Sequence, residues 1–167
     1  GINEKQIAIG EMGLSEQGNW SGVPMTLLVR MALEEADSLD RAVSVFRDNT
    51  RTCEYCYVIS DGKIPDARAM KCTYDIMDVL KPGEGHPELP EPPPDDVVVI
   101  SKDERYIALI QAIKRNYGKI DRDMLIEIMK RPVSMEANLH NAIFEPQSLK
   151  MWLAVAKSPD LENFQAC

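Results

Sequence analysis

The sequence predicts an α+β fold in which pairs of helices alternate with antiparallel strands and pack on a sheet. Three observations predict it. Residues 136–157 read as a β-hairpin, with arms at 138–144 and 149–156 around Glu145-Pro146-Gln147-Ser148, where proline presets the backbone for a turn. Asp61-Gly62, set between two β-type stretches, is a hairpin signal of its own. Two further pairs of segments repeat apolar residues at helical spacing. At 167 residues the chain is expected to form a single domain over 1–167, with a Pro-rich loop at 82–96.

Taken in order, residues 1–13 read as a turn at Asn3-Glu4-Lys5-Gln6 and then a strand over 6–11. A turn needs something to turn from, so a partner strand is expected upstream. Pro24 opens the first helix, a place proline favours. Met25, Leu28, Val29, Ala32 and Ala36 give that helix its period. Ser38 is a suitable N-cap for the second, whose apolar positions are Leu39, Ala42, Val43 and Phe46. Strands follow at 52–60 and 67–74.

Residues 82–96 hold many of the chain's 11 prolines, which marks an extended loop. A short buried-type strand is expected over 97–101. Tyr106, Leu109, Ile110, Ile113 and Tyr117 predict a third helix, with Gly118 as its C-cap. Asp121 caps a fourth, with Ile120 and Leu125 placed for a hydrophobic staple. Pro132 ends that helix near Arg131.

In the closing hairpin, Leu149, Met151, Leu153 and Val155 share one face, and Lys150, Trp152, Ala154 and Ala156 share the other. Both faces are mostly apolar, so a sheet covered on both sides is expected. Asn138 and His140 share a face at the start of the first arm. Polar groups on a buried strand need partners, which makes this end a hydrogen-bonded anchor or the rim of a site.

Bulk charge excludes some functions. The net charge of −8, from 27 acidic and 19 basic residues, argues against a nucleic-acid surface. No apolar run is long enough for a membrane span. The sequence has no Gly-rich phosphate loop, and no cofactor or metal is expected.

Single motifs are ambiguous. Cys53-Glu54-Tyr55-Cys56 has CxxC spacing, but residues three apart on a strand point to opposite faces, and no second CxxC completes a zinc site. Ordinary sheet cysteines are the simpler reading, against a thiol oxidoreductase. His86 is expected to be solvated in the Pro-rich loop. For His140 a structural hydrogen bond is favoured over a catalytic pairing with Cys72. Glu11, between Gly10 and Gly13, is either a surface carboxylate or a group that a ligand approaches. Arg51, Arg105 and Arg131 suit carboxylate or phosphate binding as well as they suit surface ion pairs. Trp20 reads as a lid or a loop anchor.

Four stretches together carry a resemblance: INEKQIAIGEMG; GVPMTLLVRMALEEADSLDRAVSVFRDNTRTCEYCYVISDGK; RYIALIQAIKRNYGKID; and RPVSMEANLHNAIFEPQSLKMWLAVAK. In this order and over nearly the whole chain, they resemble the acyl-coenzyme A:isopenicillin N acyltransferase-like family, of the choloylglycine-hydrolase type of N-terminal-nucleophile hydrolases. The resemblance implies a four-layer αββα sandwich, here incomplete, matured by autoproteolysis to expose an N-terminal cysteine. That thiol attacks an amide carbonyl, and its own α-amine, with an ordinary pKa of about 7.7–8, serves as the base. The acyl-enzyme passes to water or another amine.

The chain departs from this pattern. Residue 1 is glycine, and the family's nucleophile lies upstream of the NEK turn, so no catalytic residue is expected within this chain. Where many relatives carry a Thr-Asn-His type motif, whose Asn assists the oxyanion, this chain has Ile100-Ser101-Lys102-Asp103, with Ser101 or Lys102 the nearest position. The resemblance therefore leaves Glu11, Met12, Ser101, Asn138 and His140 as oxyanion or substrate-pocket candidates. An ionised Glu11 side chain can only accept hydrogen bonds, but its backbone N–H or that of Met12 can donate. The implied partners are a small N-acyl or amide substrate and an N-terminal segment of the same precursor. The rival reading is a non-catalytic binding module that pairs open sheet edges as a homodimer.

Overall fold

The computed structural model describes residues 1–14, 19–135, 138–155 and 164–166. Glu136, Ala137 and Ala156 of the closing hairpin lie outside them, as do residues 15–18 of the loop after the first strand. Strand β1 (Ile7–Gly13) is followed by helices α1 (Met25–Glu35) and α2 (Leu39–Asp48). Strands β2 (Tyr55–Asp61), β3 (Asp66–Cys72) and β4 (Met77–Leu80) come next, then helices α3 (Asp103–Arg115) and α4 (Arg122–Ile128). Strands β5 (His140–Glu145), β6 (Lys150–Val155) and β7 (Phe164–Ala166) close the chain. The result is the expected α+β class, with two antiparallel sheets ordered β1-β2-β3-β4 and β5-β6-β7.

Strand alternation decides what each face of the first sheet does. Ile7 and Ile9 on β1, Tyr57 and Ile59 on β2, and Met70 and Cys72 on β3 are buried with Leu28 and Ala32 of α1 and Val43 and Phe46 of α2. The Phe46 and Tyr57 rings sit 4.5 Å apart in a tilted arrangement. The helix boundaries follow local chemistry. Pro24 stands just before α1, the Ser38 hydroxyl accepts from Arg41 N, and the Asp121 carboxylate accepts from Met124 N at the start of α4.

The NEK turn is built around one side chain. Asn3 Oδ1 accepts from Lys5 N at 3.0 Å and Ile7 N at 2.9 Å. Its Nδ2 donates to Leu33 O at 3.0 Å and Ala36 O at 2.8 Å, at the end of α1. The turn's partner strand begins within the chain, since Gly1 and Ile9 exchange two 2.8 Å bonds and Asn3 N donates to Ile7 O at 3.0 Å.

A second close contact joins the two sheets' turns. At Gly62 an added Cβ would lie 2.4 Å from Gln147 N and 2.5 Å from Pro146 C, so only glycine lets the single 3₁₀ turn Pro146–Ser148 approach. Gln6 completes this corner. Its carbonyl accepts from Gly62 N, and its Nε2 donates to Gln147 O, both at 2.8 Å.

Four expectations are corrected. Residues 97–101 form no strand, because their backbone bonds go to the loop: Val97 N donates to Pro94 O, and Gly83 N to Val97 O, both at 2.9 Å. Val99 instead joins Tyr106, Ile110 and Ile113 in a small separate core. Strand β4 was not expected. A tight reversal at Thr73, whose hydroxyl accepts from Ile76 N at 2.9 Å, brings it back along β3. Gly118 is not the C-cap of α3. Asn116 takes that role, and Gly118 turns the chain beyond it at φ +74°. The closing hairpin buries one face only: Trp152 and Ala154 are covered, whereas Val155 is 56% exposed. The guanidinium of Arg122, from α4, lies 5.6 Å from the Trp152 ring centroid.

Candidate functional site

Sheet register places four side chains in one row across the first sheet. Met12 on β1 pairs with Cys56 on β2, Cys56 with Lys71 on β3, and Lys71 with Asp78 on β4. Their sheet neighbours Tyr57 and Met70 point into the core with α1 and α2. By alternation this row faces the other way.

The Pro-rich loop and the segment after it lie over the row. Ser101 Oγ approaches Met12 Sδ at 3.9 Å. Glu88 sets both carboxylate oxygens on Lys71 Nζ, at 2.8 and 2.6 Å. His86 Nε2 lies 3.3 Å from Asp78 Oδ2, while its Nδ1 accepts from Glu88 N at 3.2 Å. An Nδ1 that accepts is unprotonated, so the geometry assigns the proton to Nε2. His86 is therefore not solvated as expected; its side chain is only 9% exposed and anchors the loop.

Between row and loop is an open cleft of about 280 Å³, lined by Leu14, Glu54, Cys56, Lys71, His86, Glu88, Leu89, Ile100, Ser101, Lys102 and Asp103. That volume is at the low end for a ligand site, so it suits a small molecule or one end of a larger one. Lys71 and Lys102 both line it, and Lys71 holds the ion pairs. The nearly buried Glu54 carboxylate is 3.3 Å from Nζ. Hydrogen bonding to Glu88 holds the Lys71 ammonium above its ordinary pKa against the opposing effect of burial. The same bond holds the Glu88 carboxyl below the usual carboxylate range.

The cysteines fit a structural role. Burial pushes the Cys56 thiol up to about 12, with Glu54 adding to the shift, and pushes Cys72 up to about 11. Cys53 precedes β2, so the CxxC pair does not share a strand, and among the described residues Cys53, Cys56 and Cys72 are free thiols.

Of the sequence candidates, Ser101 lines the cleft and Met12 meets Ser101 through Sδ at 3.9 Å, without lining the cleft itself. Glu11 shares a face with Ile7 and Ile9, is exposed, and does not line the cleft. Asn138 donates through Nδ2 to Asn141 Oδ1, and the buried polar residue of that strand end is Asn141. His140 is exposed and, among the described residues, lacks the structural hydrogen bond expected for it. It and Cys72 belong to different sheets. Arg51 is buried and donates to Thr73 O, Phe46 O and Ile76 O, and Arg105 donates to Val133 O. Both are structural ties. Trp20 is 79% exposed.

Sequence reasoning missed Lys71, Glu54 and Glu88. The available signal was Lys71 itself, a charge at the position where Ala67 and Ala69 set an inward face on β3. Among the described residues, no helix is long and apolar enough to cross a membrane, and no cluster of three or more His, Cys, Asp or Glu residues is placed for a metal ion. The chain matches no family model and no curated protein.

Proposed function

We propose that the chain is the body of an amide hydrolase or acyltransferase that works through a cysteine acyl-enzyme, its nucleophile supplied by an upstream segment. One observation carries this reading: the outer edge of β1 is open next to the cleft. Residues 1–3 pair only as far as Ile9, and Ile2 bridges Ala8. Continuing that register upstream carries a strand past Glu11 to Gly13. Ile7 and Ile9 turn their backbone groups outward to residues 1–3, so Glu11 presents its N–H and C=O to the same edge. Among the described residues that edge has no partner, and an open edge templates strand addition. Met12, next to Glu11 on β1, touches Ser101 of the cleft lining, so a strand added at that edge would lie on the Ser101 side of the cleft.

The finer architecture belongs to the same proposal. The two sheets are the inner layers of an αββα sandwich, with α1 and α2 outside one and α3 and α4 outside the other. The burial of β1–β3 against α1 and α2, and Arg122 over Trp152, support it.

The test compares residues 1–167 with the gene product carrying its upstream sequence. Residues 1–167 alone are expected to show no turnover of N-acyl amides. The longer product is expected to lose a leading peptide by mass measurement and to hydrolyse amides until its thiol is alkylated. Robust turnover by residues 1–167 would overturn the proposal.

The open edge also favours a second reading, a binding module that dimerises by pairing two β1 edges. A concentration-dependent dimer of the longer product, without cleavage or turnover, would select it.

A further inference from the structure

We propose that the cleft binds a small aliphatic monocarboxylate at Lys71, in exchange for the Glu88 side chain. Glu88 shows what the seat accepts, because its two oxygens lie 2.6 and 2.8 Å from Nζ. The two carboxylates at Lys71 differ in how readily they can leave. Glu54 is 7% exposed and would be stranded without its cation, whereas the Glu88 side chain is 66% exposed and can return to water. The pair is exposed on its Glu88 side only, Lys71 being 18% exposed, so a competing carboxylate replaces the exposed partner while the cation keeps its place. The loop need not open, because Glu88 N stays bonded to His86 Nδ1, and His86 stays on Asp78.

The cleft also selects the ligand's chemistry. Exchanging one monoanion for another leaves its charge unchanged, whereas a phosphate dianion would add one negative charge to a lining that already sets Glu54 and Asp103 against Lys71 and Lys102. An ammonium would compete with Lys71 for the same two acceptors. Leu14, Leu89 and Ile100 line the cleft for an alkyl chain. The Ser101 hydroxyl, bonded only to a thioether among the described residues, has its hydrogen-bonding capacity nearly unused. This binding goes beyond the amide proposal, needs no upstream segment, and stands or falls separately from it.

Titration of the 167-residue chain with hexanoate at constant ionic strength, followed by amide and side-chain NMR, tests the idea. Saturable shifts are expected at Lys71, Glu88, Leu89 and Ser101, with none from hexylamine or hexanol. Glu88→Ala removes the competitor and should tighten hexanoate about two- to fivefold. Lys71→Met should abolish binding. Because it leaves Glu54 unpaired, the double variant Lys71→Met/Glu54→Gln provides a second test in which binding should also be lost. Absence of saturable shifts, equal binding of hexylamine or hexanol, unchanged affinity in Glu88→Ala, or binding retained in the double variant would each overturn the proposal.

Discussion

The two faces of the first sheet are held by different forces. Toward α1 and α2, Ile7, Ile9, Tyr57, Ile59 and Met70 close onto Leu28, Val43 and Phe46, and stability comes from apolar area removed from water. On the opposite face the loop meets the sheet through polar ties, and it is fixed to α3 by further polar ties and by the small core around Val99. Glu88 reaches Lys71, His86 reaches Asp78, Lys114 reaches Glu91 at 2.5 Å, and the Tyr106 hydroxyl donates to Glu91 O at 2.6 Å. A close-packed face admits nothing without a cavity or a clash. A face held by partly exposed ion pairs can trade one partner for another, and that is where the cleft lies.

The sharpest test of this contrast is Phe46→Ala. It should cost about 3–5 kcal/mol in urea unfolding, the range for deleting a buried aromatic ring. Asn3→Ala removes four side-chain hydrogen bonds from the NEK turn and should cost about 2–4 kcal/mol by the same measurement. Glu88→Ala, on the cleft face, should change stability by less than about 1 kcal/mol, as partly exposed ion pairs do. A loss as large as that of Phe46→Ala would erase the distinction between the faces.

Acid should separate them as well. Lys71 depresses the Glu88 carboxyl, so this contribution to stability is present above pH 4.5, the group's ordinary value, and is lost as pH falls through the lower folded value. Corrected for the intrinsic exchange rate, hydrogen-exchange protection in the 82–96 loop is therefore expected to fall below pH 4.5, before protection in β2 does.

Thiol labelling gives the smallest and cleanest readout. With pKa values of about 12 and 11, Cys56 and Cys72 should alkylate far more slowly than half-exposed Cys53 at pH 7, as mapped by peptide mass. Fast labelling of Cys56 would revive the redox reading of the CxxC motif.

The sequence alone determined what depends on neighbours along the chain. Ser38 and Asp121 cap their helices as read, Ser60 faces Ala67 across the hairpin at Asp61-Gly62, and the turn at residues 146–148 separates β5 from β6. Capping and turn geometry span a few residues, so local chemistry decides them. Only the tertiary structure decided the cleft. Met12, Cys56, Lys71 and Asp78 come from four strands, and their row exists once three registers are set together. Glu88 and His86 reach it from a proline-rich loop whose path is set by those same contacts and by the small core of Val99, Tyr106, Ile110 and Ile113. The strand expected over 97–101 failed for the same reason, because an apolar run becomes a strand only where a neighbouring edge is there to pair with it.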